Sequence, residues 1–561
     1  RAAAAAAIGC GAAAWRRSRR AARWRLQARA ASVIAAPAAS NTLEGRQEPS
    51  EQFKTFASFL LSQQKAILSD AEVLEAKFLA AGAAPCAFFR EPWERPPTEQ
   101  GAPASHGVTA VLEGGAVWER AAASTSILYG KLTPERAESL SDPGEGRSYA
   151  AGETYNACAL SLVFHSRSPR VPTFRADVRF FELPARGECW FGGGADLTPF
   201  YLVDDDVEAF HRFWRGVCGK VAGPDAGDVL YARIKRTCDE YFMIPARHER
   251  RGVGGIFFDQ LRELDGSVET AQLLVREVAA GFMPSYLPIV EKHVQEPYSE
   301  AERRWQLVRR GRYIEFNLLY DRGVRFGLAQ LEKVMVSAPP TVAWEYGPAS
   351  AEPSQADERL LEVLKEPREW GFGKEDGELV EFLHDTSSEV AGIGPRGAVV
   401  RHRMRCRGVG ILIFERSGDE VRVLCHQRSQ SKATFPGRWD MLVGGLARVG
   451  EALRHTAARE LGEELGIQAG PEQLLPLGLT VEVSDQVMRC SCEAFALQAP
   501  PDMKVAFRDG EVAQSSWLSL VDLRARLASD RAGWVDSGLQ VWDAIEEFGG
   551  PERVAALDAL A

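Results

Sequence analysis

None of the ten cysteines of this 561-residue chain stands in a C-x-x-C pair, and no acidic residue occurs before Glu44. The first absence excludes a zinc knuckle and a secreted disulfide framework. It points to reduced thiols in an intracellular compartment, nearly all packed as small apolar side chains. No unbroken apolar run reaches the length of about 18 residues that a membrane span requires, so none is expected. Basic residues are outnumbered, 67 Lys and Arg against 77 Asp and Glu for a formal charge of -10, and no folded segment carries a dense basic stripe. A nucleic-acid polymer is thereby excluded as a partner. What the leader lacks in acid it has in arginine: residues 1–43 hold eight arginines among many alanines, the composition of an organelle transit peptide.

The length exceeds what one ordinary core supports, so two folded domains are expected behind the leader. Apolar residues at spacings of three and four in "EQFKTFASFLLSQQKAILSDAEVLEAKF" predict a helix that opens the first domain. Strand-like runs follow, "GVTAVLEGGAVWE", "CALSLVFH" and "PTFRADVRFFEL", and then helical segments, "VEAFHRFWRGVCGKV" and "VETAQLLVREVAAGFMPSYLPIVEKHV". This mixture predicts an α+β sheet domain. After "EPREWGFGKEDGE" the pattern restarts with "GVGILIFERSGDEVRVLCHQR", a hairpin turning on Ser-Gly-Asp, which sets the domain limits at 44–374 and 375–561.

From Gly445 the chain reads "GLARVGEALRHTAARELGEELGI", in which Glu460, Glu463 and Glu464 fall at helical spacings of three and four. Carboxylates crowded on one helix face repel one another unless a hard divalent cation neutralises them. Mg²⁺ or Mn²⁺ held this way would bridge a diphosphate and activate a water. The segment fits the Nudix box at every position, a coincidence of roughly 10⁻⁶ at ordinary residue frequencies. Residues 378–561 therefore resemble a Nudix hydrolase, which implies an α/β/α sandwich and a diphosphate-containing small molecule as substrate. The resemblance makes Glu460 and Glu464 the chief metal ligands, with Glu464 catalytic and Glu463 and Glu451 in support. Arg459 is spaced to pair with Glu463 at i,i+4. Upstream, "HQRSQSKATFPGRWDMLVGG" is similar to a Nudix subgroup with isopentenyl-diphosphate isomerase-like members, implying phosphate contacts by Arg428, Lys432 and Arg438; the intact box points to hydrolysis.

The stretch "WFGGGADLTPFY", Trp190 to Tyr201, places three glycines and the lone acid Asp196 among four aromatic residues. Glycines let backbone approach something flat or bulky, and a carboxylate beside aromatic walls has a raised pKa suited to proton transfer. A tight strand-to-loop turn capped by Asp196 accounts for the same residues. Together with "WERPP", "SLVFHSRSP", "CDEYFMI", "ERRGVGGIFFDQL", "RRGRYIEFNLLYDRGVRFGL" and "SAPPTVAWEY", the stretch makes residues near 50 to 372 resemble oxygen-dependent coproporphyrinogen III oxidase.

That resemblance implies a broad antiparallel sheet flanked by helices, a homodimer, and conversion of coproporphyrinogen III to protoporphyrinogen IX with O₂ as co-substrate and no organic cofactor. It makes Asp196 the acid/base group beside a pyrrole N–H and His165 a proton donor, with the aromatics and glycines of the stretch flanking the macrocycle. Arg167, Ser168 and Pro169 fall in a substrate-binding segment. Arg179, Arg250, Arg312 and Arg322 become candidates for the substrate carboxylates, with Arg251 and Arg310 in the same motif matches. The chain departs from the family pattern at Ala246, where a histidine is common, at Arg175 and Asp177, at Ser168 in place of asparagine, and after Leu328, where a Gly-Arg segment is missing. The leading reading is a plastid fusion of this oxidase of haem and chlorophyll synthesis with a Nudix hydrolase, the mitochondrion being the alternative compartment. The departures motivate a second reading, in which the first domain is a porphyrin-binding pseudoenzyme or dimer scaffold and only the Nudix domain is catalytic.

Overall fold

The structure, a computed structural model, describes residues 48–321, 335–345 and 355–558, apart from 81, 98–102, 142–146, 419, 433, 501–502, 504 and 508–511. The leader, Arg322 and the segment directly after Leu328 lie outside the described residues. Ser50 starts the first helix by accepting a hydrogen bond from the Phe53 N–H. Helix α1 (Glu51–Lys77) then buries Phe53, Phe56, Leu60, Ile67 and Leu74 along one side.

That side lies on an antiparallel sheet in which neighbours in sequence are neighbours in space: β1 (Phe89–Arg95), β2 (Ser105–Glu113), β3 (Trp118–Lys131), β4 (Thr154–Ser166), β5 (Thr173–Leu183), β6 (Glu188–Thr198) and β7 (Gly254–Leu261). Between β6 and β7 run α2 (Asp204–Ala222) and α3 (Pro224–Tyr241); α4 (Val268–His293) and α5 (Glu300–Leu319) follow β7. Side chains alternate across the strands. Leu162, Phe164, Phe174, Ala176 and Leu197 enter the main core with α1 and α4. The intervening residues, among them Val163, His165, Arg175, Asp177 and Asp196, point to the opposite face, over which α5 lays Tyr313 and Ile314.

Among the described residues one helix, α4, is long and apolar enough to cross a membrane by length and composition, with a mean hydropathy of 1.3. Arg276, Glu277, Glu291 and Lys292 interrupt it, so it is not an unbroken apolar run. In the fold its Val275, Phe282, Tyr286 and Val290 are buried in the core beside β5 and β6.

A second, mixed sheet is built from β8 (Leu379–Leu383), β9 (Val390–Pro395), β10 (Arg405–Ser417), β11 (Glu420–Arg428), β12 (Trp439–Asp440), β13 (Leu442–Leu446), β14 (Leu475–Ser484), β15 (Arg489–Gln498) and β16 (Val512–Ser519). The central strand β10 runs parallel to β15 and antiparallel to β13 and to its hairpin partner β11. One sheet face packs Val409 and Ile411 on Ala457, Leu461 and Leu465 of α6 (Leu453–Leu465). The other packs Leu412, Phe414 and Val423 on Leu539, Trp542 and Ile545 of α7 (Asp536–Phe548), giving helix, sheet and helix in layers.

Helix α3 belongs to both cores. Leu230, Tyr231 and Ile234 enter the first, Val229 and Ala232 the second. Arg215 of α2 bridges Asp228 and Asp376, each at 2.6 Å, and buried Lys235 bonds Asp239 at 2.9 Å and Glu369 at 3.0 Å. The segment from Glu366 to Glu378 is thus docked on α2 and α3, and residues 49–561 form one compact unit. Ala232→Glu, which buries an unpaired charge in this contact, is expected to cost about 2–4 kcal/mol and to lower the unfolding midpoint of both halves together. Denaturant unfolding of the full chain, followed by tryptophan fluorescence, measures it.

Candidate functional site

The polar face of the first sheet holds an ion pair removed from water. Asp196 stands on β6 opposite Arg175 of β5 and Gly255 of β7, and its two oxygens accept from Nη2 of Arg251 at 2.7 and 2.8 Å. Arg251 Nη1 donates to Asn317 Oδ1 at 2.8 Å, and the guanidinium lies 4.0, 4.7 and 5.0 Å from the ring centres of Phe242, Tyr313 and Phe316. Burial lifts the Asp196 carboxyl above the ordinary carboxylate range, and Arg251 pulls it back only in part. Burial also opposes the charge on Arg251, but the adjacent carboxylate holds that group charged.

The aromatic wall expected from the neighbours of Asp196 in sequence comes from elsewhere. Trp190 shares its face but lies about 20 Å along the strand, stacked on Phe181, while Phe191 points into the opposite core against Phe56 and Phe180. The glycines serve packing across the strands: a Cβ on Gly192 would come within 2.5 Å of Arg179 Nε, and one on Gly194 within 2.5 Å of the Ile256 carbonyl oxygen.

In the second domain α6 ends on Gly466, whose φ of 65° continues the chain as a left-handed cap. Arg459 gathers the surrounding acids, reaching Glu460 at 2.6 Å, Glu463 at 2.9 Å and Glu451 at 3.0 Å. Glu460 is buried against Gly445, where a Cβ would lie 2.1 Å from its carboxylate; the glycine is there because the acid fills its place. Burial raises Glu460, and burial together with Glu460 pushes half-buried Glu464 up to about 8. Burial opposes the charge of Glu451 too, but bonds from Arg459 hold it down at about 2. Two adjacent acids whose charges burial and mutual repulsion oppose call for a cation, and an all-carboxylate donor set suits Mg²⁺ or Mn²⁺. Among the described residues no three His, Cys, Asp or Glu side chains form a ready coordination sphere. The fit is one of chemistry, and Arg459 occupies part of the space. Across the site Arg428 and Lys432 lower Glu464 electrostatically, while Asp440, itself pushed up to about 7 by burial, raises it.

The sequence pattern of coproporphyrinogen III oxidase matches residues 55–370. The chain belongs to this family. It is 42% identical over 287 residues to oxygen-dependent coproporphyrinogen-III oxidase of Drosophila melanogaster, covering 50% of this chain and 70% of that protein. To the mitochondrial oxygen-dependent coproporphyrinogen-III oxidase of Homo sapiens it is 38% identical over 347 residues, 60% and 72% of the two chains. The NUDIX domain pattern matches residues 404–537. The NUDIX domain of Shewanella oneidensis NrtR complexed with ADP ribose is similar at 19% identity over 26% of this chain and 87% of that one, with a TM-score of 0.21, too slight a likeness to carry an argument. The chain is a coproporphyrinogen oxidase domain fused to a Nudix hydrolase domain.

Within the oxidase domain the predicted residues divide. Asp196, His165, Arg175 and Arg179 share one sheet face. His165 Nε2 lies 3.0 Å from the Ser337 carbonyl oxygen and Nδ1 3.2 Å from Thr173 Oγ1. A carbonyl only accepts, so Nε2 carries the hydrogen and Nδ1 accepts from the hydroxyl. Burial, reinforced by Arg310, holds this imidazole neutral with a pKa of about 3. Neutral and bonded at both ring nitrogens, it has the geometry of a positioning residue. Arg179 sits between Asp177 and Asp259 at 2.6 and 3.1 Å. Arg167 is exposed and donates to the Gly115 carbonyl at 2.9 Å, while Ser168 and Pro169 are buried in the turn from β4 to β5.

The structure does not bring Arg250 or Arg312 to Asp196. Arg250 donates to the main-chain carbonyls of Asp239 and Lys365, and Arg312 to Glu315 at 3.0 Å. Arg251 follows directly on the two-residue strand Glu249–Arg250, and side chains of adjacent extended residues point to opposite sides, so Arg251 turning inward sends Arg250 outward. Tyr313 and Asn317 escaped sequence reasoning, although their i,i+4 spacing on α5 could have placed both over the sheet. Ala246 lies on an exposed turn, Pro245–Arg247, outside the buried cluster.

His165, His211 and His426 are all held neutral by burial, at about 3, 3 and 4. The unfolded chain protonates them from about pH 6.5 downward while the folded chain does not. Stability is therefore expected to fall on acidification from pH 6.5 to 4, by up to about 1.4 kcal/mol per pH unit for each histidine. Unfolding midpoints at pH 7 and pH 5 give the slope.

Proposed function

We propose that the oxidase domain converts coproporphyrinogen III to protoporphyrinogen IX with O₂ as electron acceptor and no organic cofactor, and that the Nudix domain hydrolyses a diphosphate-containing small molecule. The observation that carries the first half is the buried Asp196–Arg251 pair on the polar face of the family's sheet. Asp196 accepts from a pyrrole N–H of the substrate. Withdrawal of that proton raises the electron density of the ring and expels hydride from the adjoining propionate methylene to O₂; departure of CO₂ leaves the vinyl group. Each propionate thus consumes O₂ and a proton and yields CO₂ and H₂O₂. Arg179 on the same face, and Arg167 at its edge, take substrate carboxylates, with Ser168 and Pro169 shaping the turn beside them. His165 holds β4 against the segment of Ser337, and Arg250 and Arg312 brace the scaffold.

In the Nudix domain Glu460 and Glu464 hold Mg²⁺ or Mn²⁺, with Glu463 and Glu451 in support and Arg428, Lys432 and Arg438 toward the phosphates. The ion supplies charge to the diphosphate and an activated water. The domains run 44–374 and 375–561, a homodimer forms through the first, and residues 1–43 direct the chain to a plastid or, in line with the human and mouse relatives named mitochondrial, to a mitochondrion. The deciding experiment supplies coproporphyrinogen III anaerobically to the full chain, admits O₂ and separates the products by chromatography. Protoporphyrinogen formation supports the oxidase; bound but unchanged substrate overturns it in favour of a porphyrin-binding scaffold.

A further inference from the structure

Tyr313 is fully buried, and its O–H hydrogen has no acceptor. Its ring meets the edge of His165 at 5.3 Å and faces the Arg251 guanidinium at 4.7 Å, and its packing neighbours are Ala122, Val163, Ile314 and Ala338. Asn317, one turn along α5, has its amide oxygen taken by Arg251, so only its N–H group is left to face the phenol oxygen, and it cannot accept from the O–H. An O–H without an acceptor therefore stands between an apolar cluster and the Asp196–Arg251 pair, where a merely structural tyrosine would be better replaced by phenylalanine. Burial keeps the phenol protonated.

A substrate carboxylate suits these surroundings poorly, because Arg251 is already committed and one neutral O–H does not offset the desolvation of a charge. Dioxygen suits them well. It is apolar and scarcely accepts a hydrogen bond on arrival, whereas the hydroperoxide formed by hydride transfer is a strong acceptor. A donor idle before the transfer and engaged during it lowers the barrier without tightening ground-state binding. We propose that the Tyr313 hydroxyl is a catalytic residue of the oxidase, donating a hydrogen bond to the oxygen that receives hydride; this rests on the assignment of the reaction to the Asp196 site. The C–H electron pair passes from the propionate methylene to O₂. The C–CO₂ pair closes the double bond as CO₂ leaves, the hydroperoxide takes a proton from solution to become H₂O₂, and Tyr313 keeps its own.

The test is Tyr313→Phe in the full chain, with saturating coproporphyrinogen III, varied O₂ and thermal unfolding alongside. The kcat/KM for O₂ is expected to fall about 10²-fold or more, with KM for coproporphyrinogen III changed less than about twofold and the unfolding temperature equal or higher. Turnover within about twofold of the parent overturns the proposal. So does a loss of turnover accompanied by a lower unfolding temperature, the mark of a structural role. Asp196→Asn measured beside it separates the two ideas: normal turnover there removes the Asp196 assignment, whereas a silent Tyr313→Phe beside an inactive Asp196→Asn removes only the donor.

Discussion

Asp196→Asn is expected to lower the formation of protoporphyrinogen by ~10³-fold or more while leaving diphosphate hydrolysis in the same chain intact. The amide keeps the shape of the side chain but cannot take a proton, and it leaves the buried Arg251 charge without its anionic partner. The second effect is one of stability: removing one member of a buried pair costs about 3–5 kcal/mol. The two losses are separable. In Asp196→Asn/Arg251→Met the orphaned charge is gone, so most of the stability returns and none of the turnover does. Denaturant unfolding and product chromatography on both variants measure this; recovery of turnover in the double variant would place the proton transfer elsewhere.

Glu464→Gln is expected to abolish diphosphate hydrolysis, by ~10³-fold or more, and to weaken Mn²⁺ binding at least about 10-fold, with porphyrinogen oxidation unchanged. The reason is that burial and the charge of Glu460 both oppose ionisation of Glu464, and a cation relieves both. With Glu464 pushed up to about 8 in the metal-free chain, the ion must displace a proton to bind at neutral pH. Mn²⁺ affinity therefore rises with pH, by close to tenfold per unit below about pH 8, and levels off above it; Glu464→Gln loses this dependence. The sign for folding is the reverse. A carboxyl raised above its unfolded value near 4.3 stabilises the metal-free fold below that value, and the contribution is lost as pH rises toward about 8, so added Mn²⁺ stabilises the chain more at pH 8 than at pH 6. Calorimetric titration of Mn²⁺ at pH 6, 7 and 8 into both proteins checks the two statements together. Oxidation falling in parallel with hydrolysis would show that the halves, joined through α3, do not act separately.

Much of this molecule is written locally. The acids of α6 recur at three and four residues, so one face of one helix holds them whatever surrounds it, and Gly445 and Gly466 mark where that helix is approached and where it ends. The alternation in "PTFRADVRFFEL" likewise separates Phe174 and Val178 from Arg175, Asp177 and Arg179, and the fold buries the first set in the core and turns the second to the other face. The partners were not legible. Asp196 meets Arg251, 55 positions further on, only because β6 and β7 close side by side around α2 and α3. Whether Arg250 or Arg251 turns inward depends on a pairing of Met243–Ile244 with Glu249–Arg250 that no periodicity announces. The aromatic surroundings of Asp196 came from α5 and from Phe242 at the end of α3, not from its own strand, since a strand spreads its residues along a line while a folded sheet gathers residues from distant segments. Sequence alone thus determined the family of the first domain, the NUDIX segment and the helix face that carries its acids. Tertiary structure decided which charges meet, how deeply they are buried and hence which are lifted or lowered, because desolvation and pairing belong to the assembled core and to no single segment of the chain.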